Sequence, residues 1–131
     1  MESARSLQCL IFNMDGIKLC VDGDQVEKIT GAPEKDSIVR LLDEALNCSR
    51  QTSVGQKAVY LKLKNAENTF VEAWGLENLE TISVGKILPF PGILEGVLSD
   101  SPIRAAAMFG SEVLLLVDME RVGGNFHHPA L

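Results

Sequence analysis

The run Val113-Leu114-Leu115-Leu116-Val117 limits the possible folds of this chain more than any other stretch. Five consecutive apolar residues make a strand that is apolar on both alternating sets, so other parts of the chain must cover both of its faces. A tight Gly110-Ser111 turn precedes the run, and the small-residue stretch 103–109 supplies the other arm of a hairpin ending at 112–119. Upstream lie Pro89 and Pro91. Proline fixes φ and has no N–H, so residues 88–93 are expected as a crossover rather than a ladder strand.

A second hairpin opens the chain. Segments 7–14 and 17–22 flank Asp15-Gly16, the preferred pair for a two-residue type I′ turn. That turn sets a register in which Met14 pairs with Ile17, Phe12 with Leu19 and Leu10 with Val21. Six large apolar side chains then share one face. Cys9, Ile11, Asn13, Lys18 and Cys20 share the other. Cys9 and Cys20 are on one face but not opposite each other, which disfavours a bridge. Asp22-Gly23-Asp24 is a turn and not a calcium loop, because its glycine is misplaced and Val26 stands where a ligand is needed. Residues 25–30 resume as a short strand with Val26 and Ile29 pointing inward.

In the middle, Ile38, Leu41, Leu42, Ala45 and Leu46 follow helical spacing. The pattern alone predicts a helix over about 37–47, capped by Asp36 or Ser37; a short strand 37–41 followed by a short helix is the competing reading. Residues 48–56 are polar loop. Segment 57–64 alternates, with Val59, Leu61 and Leu63 on one face and Lys62 and Lys64 on the other. After a turn at 65–68, segment 69–74 returns as its partner, and 79–84 forms a further strand with breaks at Gly75 and Asn78. The single tryptophan, Trp74, is expected to pack in or beside the core. Residues 123–131, with His127-His128, form a tail. Because every clear hairpin is local and no long helix separates strands, the pattern favours an all-β, barrel-type fold over a parallel α/β sheet.

Composition excludes several functions. At 131 residues the chain fits one domain, and its 46% hydrophobic content argues against disorder. A net charge of −6 with scattered lysines and arginines disfavours nucleic acid and anionic membrane as partners. No apolar run approaches a membrane span and no secretory signal is evident, so a cytoplasmic location is expected. The three cysteines, Cys9, Cys20 and Cys48, form no CxxC pair and are expected as buried free thiols. No phosphate loop or nucleophile elbow occurs, and both histidines lie in the tail without a third ligand at useful spacing. Asp118, at the end of the apolar strand, is expected to accept turn hydrogen bonds. No catalytic residue, metal or cofactor is expected.

Taken in order, these blocks resemble the CheW-like family of chemotaxis coupling proteins. The resemblance rests on Leu10-Ile11-Phe12 before Asp15-Gly16, then 17–21, then Val26-Glu27-Lys28-Ile29. It continues through 58–63 and 70–82, Ile87-Leu88-Pro89-Phe90-Pro91, 98–102, and 103 through Leu115-Leu116-Val117-Asp118-Met119-Glu120. It implies a mainly all-β fold of two linked SH3-like five-stranded barrels, with one short helix near 37–47. The first barrel would use 7–30 and 99–122, the second about 37–88, within one CheW-like domain ahead of the tail. It further implies a non-catalytic scaffold that links chemoreceptors to the regulatory domain of a histidine kinase. Segment 31–46 is shorter than in the family. The Asn-Leu-Arg-Gly-like turn has no counterpart there, because Arg40 does not occupy it, and the second barrel is open to being incomplete. Its edge would be covered by 38–46, by a second copy of the chain, or by a partner. Partner-binding candidates are Val39 and Leu41 in the shortened segment and Phe90 and Ile93 in the proline crossover. The alternatives are a small ligand-binding β-barrel or enzyme, which a pocket of convergent polar groups would favour, and a degenerate module of structural role only.

Overall fold

The structure is a computed structural model that describes residues 5–14, 16–46, 57–89 and 101–122. In chain order these form β1 Ser6–Met14, β2 Ile17–Asp22, a 3-10 turn Gly23–Gln25, β3 Val26–Thr30, β4 Ile38–Leu41 and α1 Leu42–Ala45. Then come β5 Ala58–Leu63, β6 Thr69–Trp74, β7 Leu76–Ser83, a second 3-10 turn Val84–Lys86, β8 Ile87–Pro89, β9 Ile103–Phe109 and β10 Glu112–Val117. Strand pairing gives a six-stranded sheet in the order β7-β1-β2-β10-β9-β8 and a four-stranded sheet in the order β3-β5-β6-β4. The strand counts are therefore six and four, not five and five. The pairings also redistribute the segments: β3 joins the four-stranded sheet, and β7 and β8 join the six-stranded one.

The first hairpin has the register its turn dictates, with Leu10 opposite Val21, Phe12 opposite Leu19 and Met14 opposite Ile17. Gly16 takes φ +86°, and its amide donates to Asn13 Oδ1 at 2.8 Å. Leu10, Phe12, Met14, Leu19 and Val21 are buried against Leu42, Leu61, Leu63, Val71 and Ala73, which line the four-stranded sheet and α1. The sixth member, Ile17, stays exposed at the hairpin tip. The opposite face forms a second core, in which Cys9, Ile11 and Cys20 pack with Ile82, Ala107 and Leu114. Both β-sheet faces at β1 and β2 are thus apolar and covered.

The run that opened the sequence reading lies between β2 and β9. Leu114 and Leu116 contribute to the core around Cys9 and Cys20, while Leu115 and Val117 contribute to the core between the sheets. Val113 departs from the expectation of full cover, for it is 54% exposed. β10 runs parallel to β2, with Leu115 beside Leu19 and Val117 beside Val21. β4 likewise runs parallel to β6.

Four local expectations are corrected. No helix spans 37–47, and the competing reading of a short strand followed by a short helix is the one observed; Asn68, at φ +55°, pins β4 beside β6 by accepting from the Ile38 amide (2.8 Å) and donating to the Asp36 carbonyl (2.8 Å). The helix that follows is four residues long. Its N-cap position is Leu41, without a side-chain cap bond, and Ser37 Oγ instead donates to the Glu34 carbonyl. Ile29 is exposed although a bulge between Val26 and Lys28 sets it opposite Leu61, because β3 is the outer strand of its sheet. Asn78 does not break β7; it pairs with Ile11, and Gly75 alone makes the corner. Ile87–Pro89 does form a ladder, with Leu88 opposite Ala106, and β8 is an outer strand, which is where a sheet tolerates proline. Trp74 is buried, as expected.

Both described cysteines are free and buried. The hydrogen bond with the Cys9 thiol, together with burial, pushes the Cys20 thiol well above its usual range. In a Cys48→Ser background, neither thiol is expected to react with a thiol-specific reagent in native buffer, and both are expected to react once urea unfolds the chain. Rapid native labelling would contradict the burial.

Candidate protein-interaction surfaces

At the seam between the sheets, the carboxylate of Asp118 collects several donors. Its Oδ1 accepts from Gln25 Nε2 (3.0 Å) and the Glu120 amide (3.0 Å), and its Oδ2 accepts from Arg104 Nη1 (3.2 Å). Gln25 in turn accepts from the Met119 amide through Oε1 (2.8 Å), and its carbonyl accepts from the Lys64 amide (3.1 Å). An open groove here is lined by Asp22, Gln25, Arg104, Leu116, Val117 and Asp118. Its convergent polar groups are bonded to one another, so the cluster works as a clasp between the end of β10 and the link from β2 to β3. Asp118 therefore has the turn-accepting role expected of it. The Asp22 carboxylate caps the Asp24 amide (2.9 Å), consistent with a turn at that point. Among the described residues, no group of three or more His, Cys, Asp or Glu could hold a metal ion.

A second polar cluster ties the β7 corner to the six-stranded sheet. Lys18 Nζ donates to Glu77 Oε1 (2.9 Å) and lies 3.6 Å from Glu112, while Asn13 Nδ2 donates to Glu77 Oε2 (3.2 Å). The bond from Lys18, and then that from Asn13, holds the Glu77 carboxyl below its usual range; the same Glu77 bond raises the Lys18 ammonium above its own. A depressed carboxylate stabilises the fold above its unfolded pKa and loses that contribution as pH falls through the folded one. A raised lysine does so below its unfolded pKa and loses it as pH rises through the folded one. Both contributions are therefore present from neutral pH toward the carboxylate range on one side and the lysine range on the other. Glu77→Gln is expected to flatten the acid limb of the stability–pH curve, and added salt is expected to shrink the difference, because the pair is solvent-exposed. Denaturant titrations at neutral and acidic pH check this; identical acid limbs would refute it.

Two apolar surfaces remain exposed. The first crosses the six-stranded sheet. Val113 is opposite Met108, Leu115 is opposite Ala106, and Ala106 is opposite Leu88, so these side chains share a face. Ile17 precedes Leu19 by two residues, as Val113 precedes Leu115, which puts Ile17 on the same face beside Val113. The four-stranded sheet covers Leu19, Val21 and Val117 on this face but leaves the other half open. Val113 is 54% and Leu88 52% exposed, and Met108, Ala106 and Leu115 are half-buried. Together they make an aligned apolar stripe, a candidate interaction surface.

The second apolar surface is at β4, the outer strand of the four-stranded sheet among the described residues, where Ile38 is 49% and Val39 38% exposed. Of the four sequence-derived candidates, Val39 is exposed here and Leu41 beside it is half-buried. Phe90 and Ile93 lie outside the described residues, as do Cys48 and His127-His128. Val113, Leu88, Met108 and Ile17 were not among the sequence-derived candidates. Alternation put Ile17 on the core face of its hairpin and Val113 in a strand expected to be covered on both faces, whereas Leu88 was expected in a crossover; which half of the face stays uncovered depends on where the other sheet sits.

A six-stranded sheet is thus interrupted in sequence by a four-stranded one, the two are packed on a shared core, and the fold is CheW-like. The fold is similar to that of the scaffolding protein TtCheW from Thermoanaerobacter tengcongensis, with a TM-score of 0.62 over 86% of this chain and 89% of that one, at 9% sequence identity. No protein-family model and no curated protein sequence matches the chain. No helix among the described residues is long and apolar enough to cross a membrane.

Proposed function

We propose that this chain is a non-catalytic adaptor of bacterial signal transduction, a cytoplasmic scaffold that joins a chemoreceptor to the regulatory domain of a histidine kinase. The observation that carries the reading is the CheW-like fold extending over 86% of the chain. In this reading each sheet is one SH3-like barrel, and the two barrels together form one domain ahead of a C-terminal tail. The stripe Ile17, Val113, Met108 and Leu88 is a binding face, with Val39, Leu41, Phe90 and Ile93 as further contact positions. The shared core and the Gln25–Asp118 clasp hold the two sheets in a fixed relation, which suits a protein that must engage two partners at once.

The test is calorimetric titration of the purified chain with a receptor cytoplasmic fragment and, separately, with the kinase regulatory domain. Val113→Glu puts a carboxylate where an apolar contact would be buried. It is expected to weaken binding to at least one partner by about tenfold or more, with an unchanged melting temperature, because the site is exposed in the free protein. Absence of binding to both partners would overturn the adaptor reading. Undiminished binding by Val113→Glu would remove the stripe from it.

A further inference from the structure

Four strands end the two sheets, and three of them are guarded against pairing. β7 carries Glu77 and Glu80, β8 is three residues long and ends in Pro89, and β3 is bulged, with Lys28 tied to Glu34 at 3.1 Å. Charge, proline, shortness and bulges are the usual means of blunting an edge. β4 is short, but it has no proline, no bulge and no ion-paired charge among the described residues.

Backbone geometry shows what this edge offers. The Ile38 amide donates inward, to Asn68 of the β6 side. Main-chain groups alternate in direction along a strand, so Ile38 and Arg40 point their amides and carbonyls at β6, while Val39 and the Leu41 amide point theirs outward. The side chains of Ile38 and Val39 stand exposed on opposite faces of that same strand. Arg40 is the charged residue of β4 itself, and Lys35 and Asp36 precede the strand. Lys18, Lys28, Lys62 and Arg104 all have carboxylate partners, whereas Lys35 and Arg40 form no ion pair among the described residues, in a chain whose net charge is −6. Glu44 lies beyond the strand, in α1.

We propose that β4 is a docking edge for an extended segment of a partner protein in which acidic and apolar residues alternate. The segment would add a fifth strand to the four-stranded sheet. Its main chain would bond Val39 and the Leu41 amide, its carboxylates would lie on the face that carries Arg40, and its apolar residues would cover Val39 on the other face. A second copy of this chain fits less well. Antiparallel self-pairing centred on Val39 would bring the two Arg40 side chains to diagonal positions roughly 7–8 Å apart, where like charges repel. This inference rests on the adaptor reading and specifies one contact within it.

Amide spectra of the isotope-labelled chain, titrated with a short blocked peptide alternating Glu and Val, test the proposal. A peptide alternating Lys and Val is the control. The Glu peptide is expected to shift the Val39 and Leu41 amides and slow their hydrogen exchange, and the Lys peptide to bind about tenfold more weakly. Val39→Pro removes an outward N–H and should abolish binding while leaving the melting temperature near that of the parent, since Ile38 before it is already extended. Arg40→Glu leaves the backbone intact and should reverse the peptide preference. Binding that survives both variants, shifts confined to the Val113 stripe, or no binding of either peptide at millimolar concentration would overturn the proposal. So would a dimer in sedimentation equilibrium whose amide shifts map to β4. If receptor or kinase binding persists in any of these cases, the adaptor reading stands and only the edge is lost.

Discussion

Replacing Gly75 with alanine is expected to lower stability by about 3–5 kcal/mol or to prevent folding altogether. Gly75 turns the chain from β6 into β7 at φ +89°, a conformation that L side chains rarely adopt. A Cβ there would lie 2.2 Å from the Asn13 carbonyl oxygen and 3.0 Å from its carbon. Those atoms belong to β1, which is paired on both sides, and the Asn13 amide is itself bonded to the Gly75 carbonyl at 2.7 Å. The obstruction is backbone and cannot swing aside. Gly16→Ala makes the comparison clean: φ is +86° there too, but nothing stands within 4 Å of the added carbon, so only the strain of about 1–2 kcal/mol applies. Urea denaturation of both variants checks the ranking; a Gly75→Ala midpoint at or above that of Gly16→Ala would contradict it.

The second large effect is expected at Phe12. Its side chain is fully buried between the sheets, so Phe12→Ala should cost about 3–5 kcal/mol, the transfer and cavity terms together. Leu79 provides the contrast. It is opposite Leu10, but at the outer edge of β7, where it is 66% exposed, and Leu79→Ala should change stability by no more than about 0.5 kcal/mol. Comparable losses at the two positions would mean that the inter-sheet core is not where the structure puts it.

These contrasts mark what could be read from the residues alone. The register of Leu10, Phe12 and Met14 was legible because a two-residue turn fixes both arms of a hairpin. The 58–63 and 69–74 pair was legible as a hairpin from its alternation and the turn at 65–68, but that longer turn left its register open. No local turn joins β10 to β2 or β4 to β6, so the residues themselves do not say that these pairs are parallel. The strand–helix break at Leu41 was one of two open readings, because Ile38, Leu41, Leu42 and Ala45 also fit a helical spacing. The deciding contact is Asn68, whose left-handed backbone is not visible in any apolar pattern. Ile17 and Val113 show the limit for surfaces: apolar alternation assigns a residue to a face but does not say whether another element covers it.

The parallel pairing of β10 with β2 also has a consequence for the birth of the protein. Strands β3 through β6 are translated and can pair among themselves while Leu19 still waits for Leu115. The six-stranded sheet cannot be completed until β10 has cleared the ribosome. Non-local pairing of this kind makes folding slow and leaves apolar strands uncovered in the meantime. A stalled or truncated product lacking β10 would therefore present Leu19, Cys20 and Val21 on a naked strand edge, a target for chaperones.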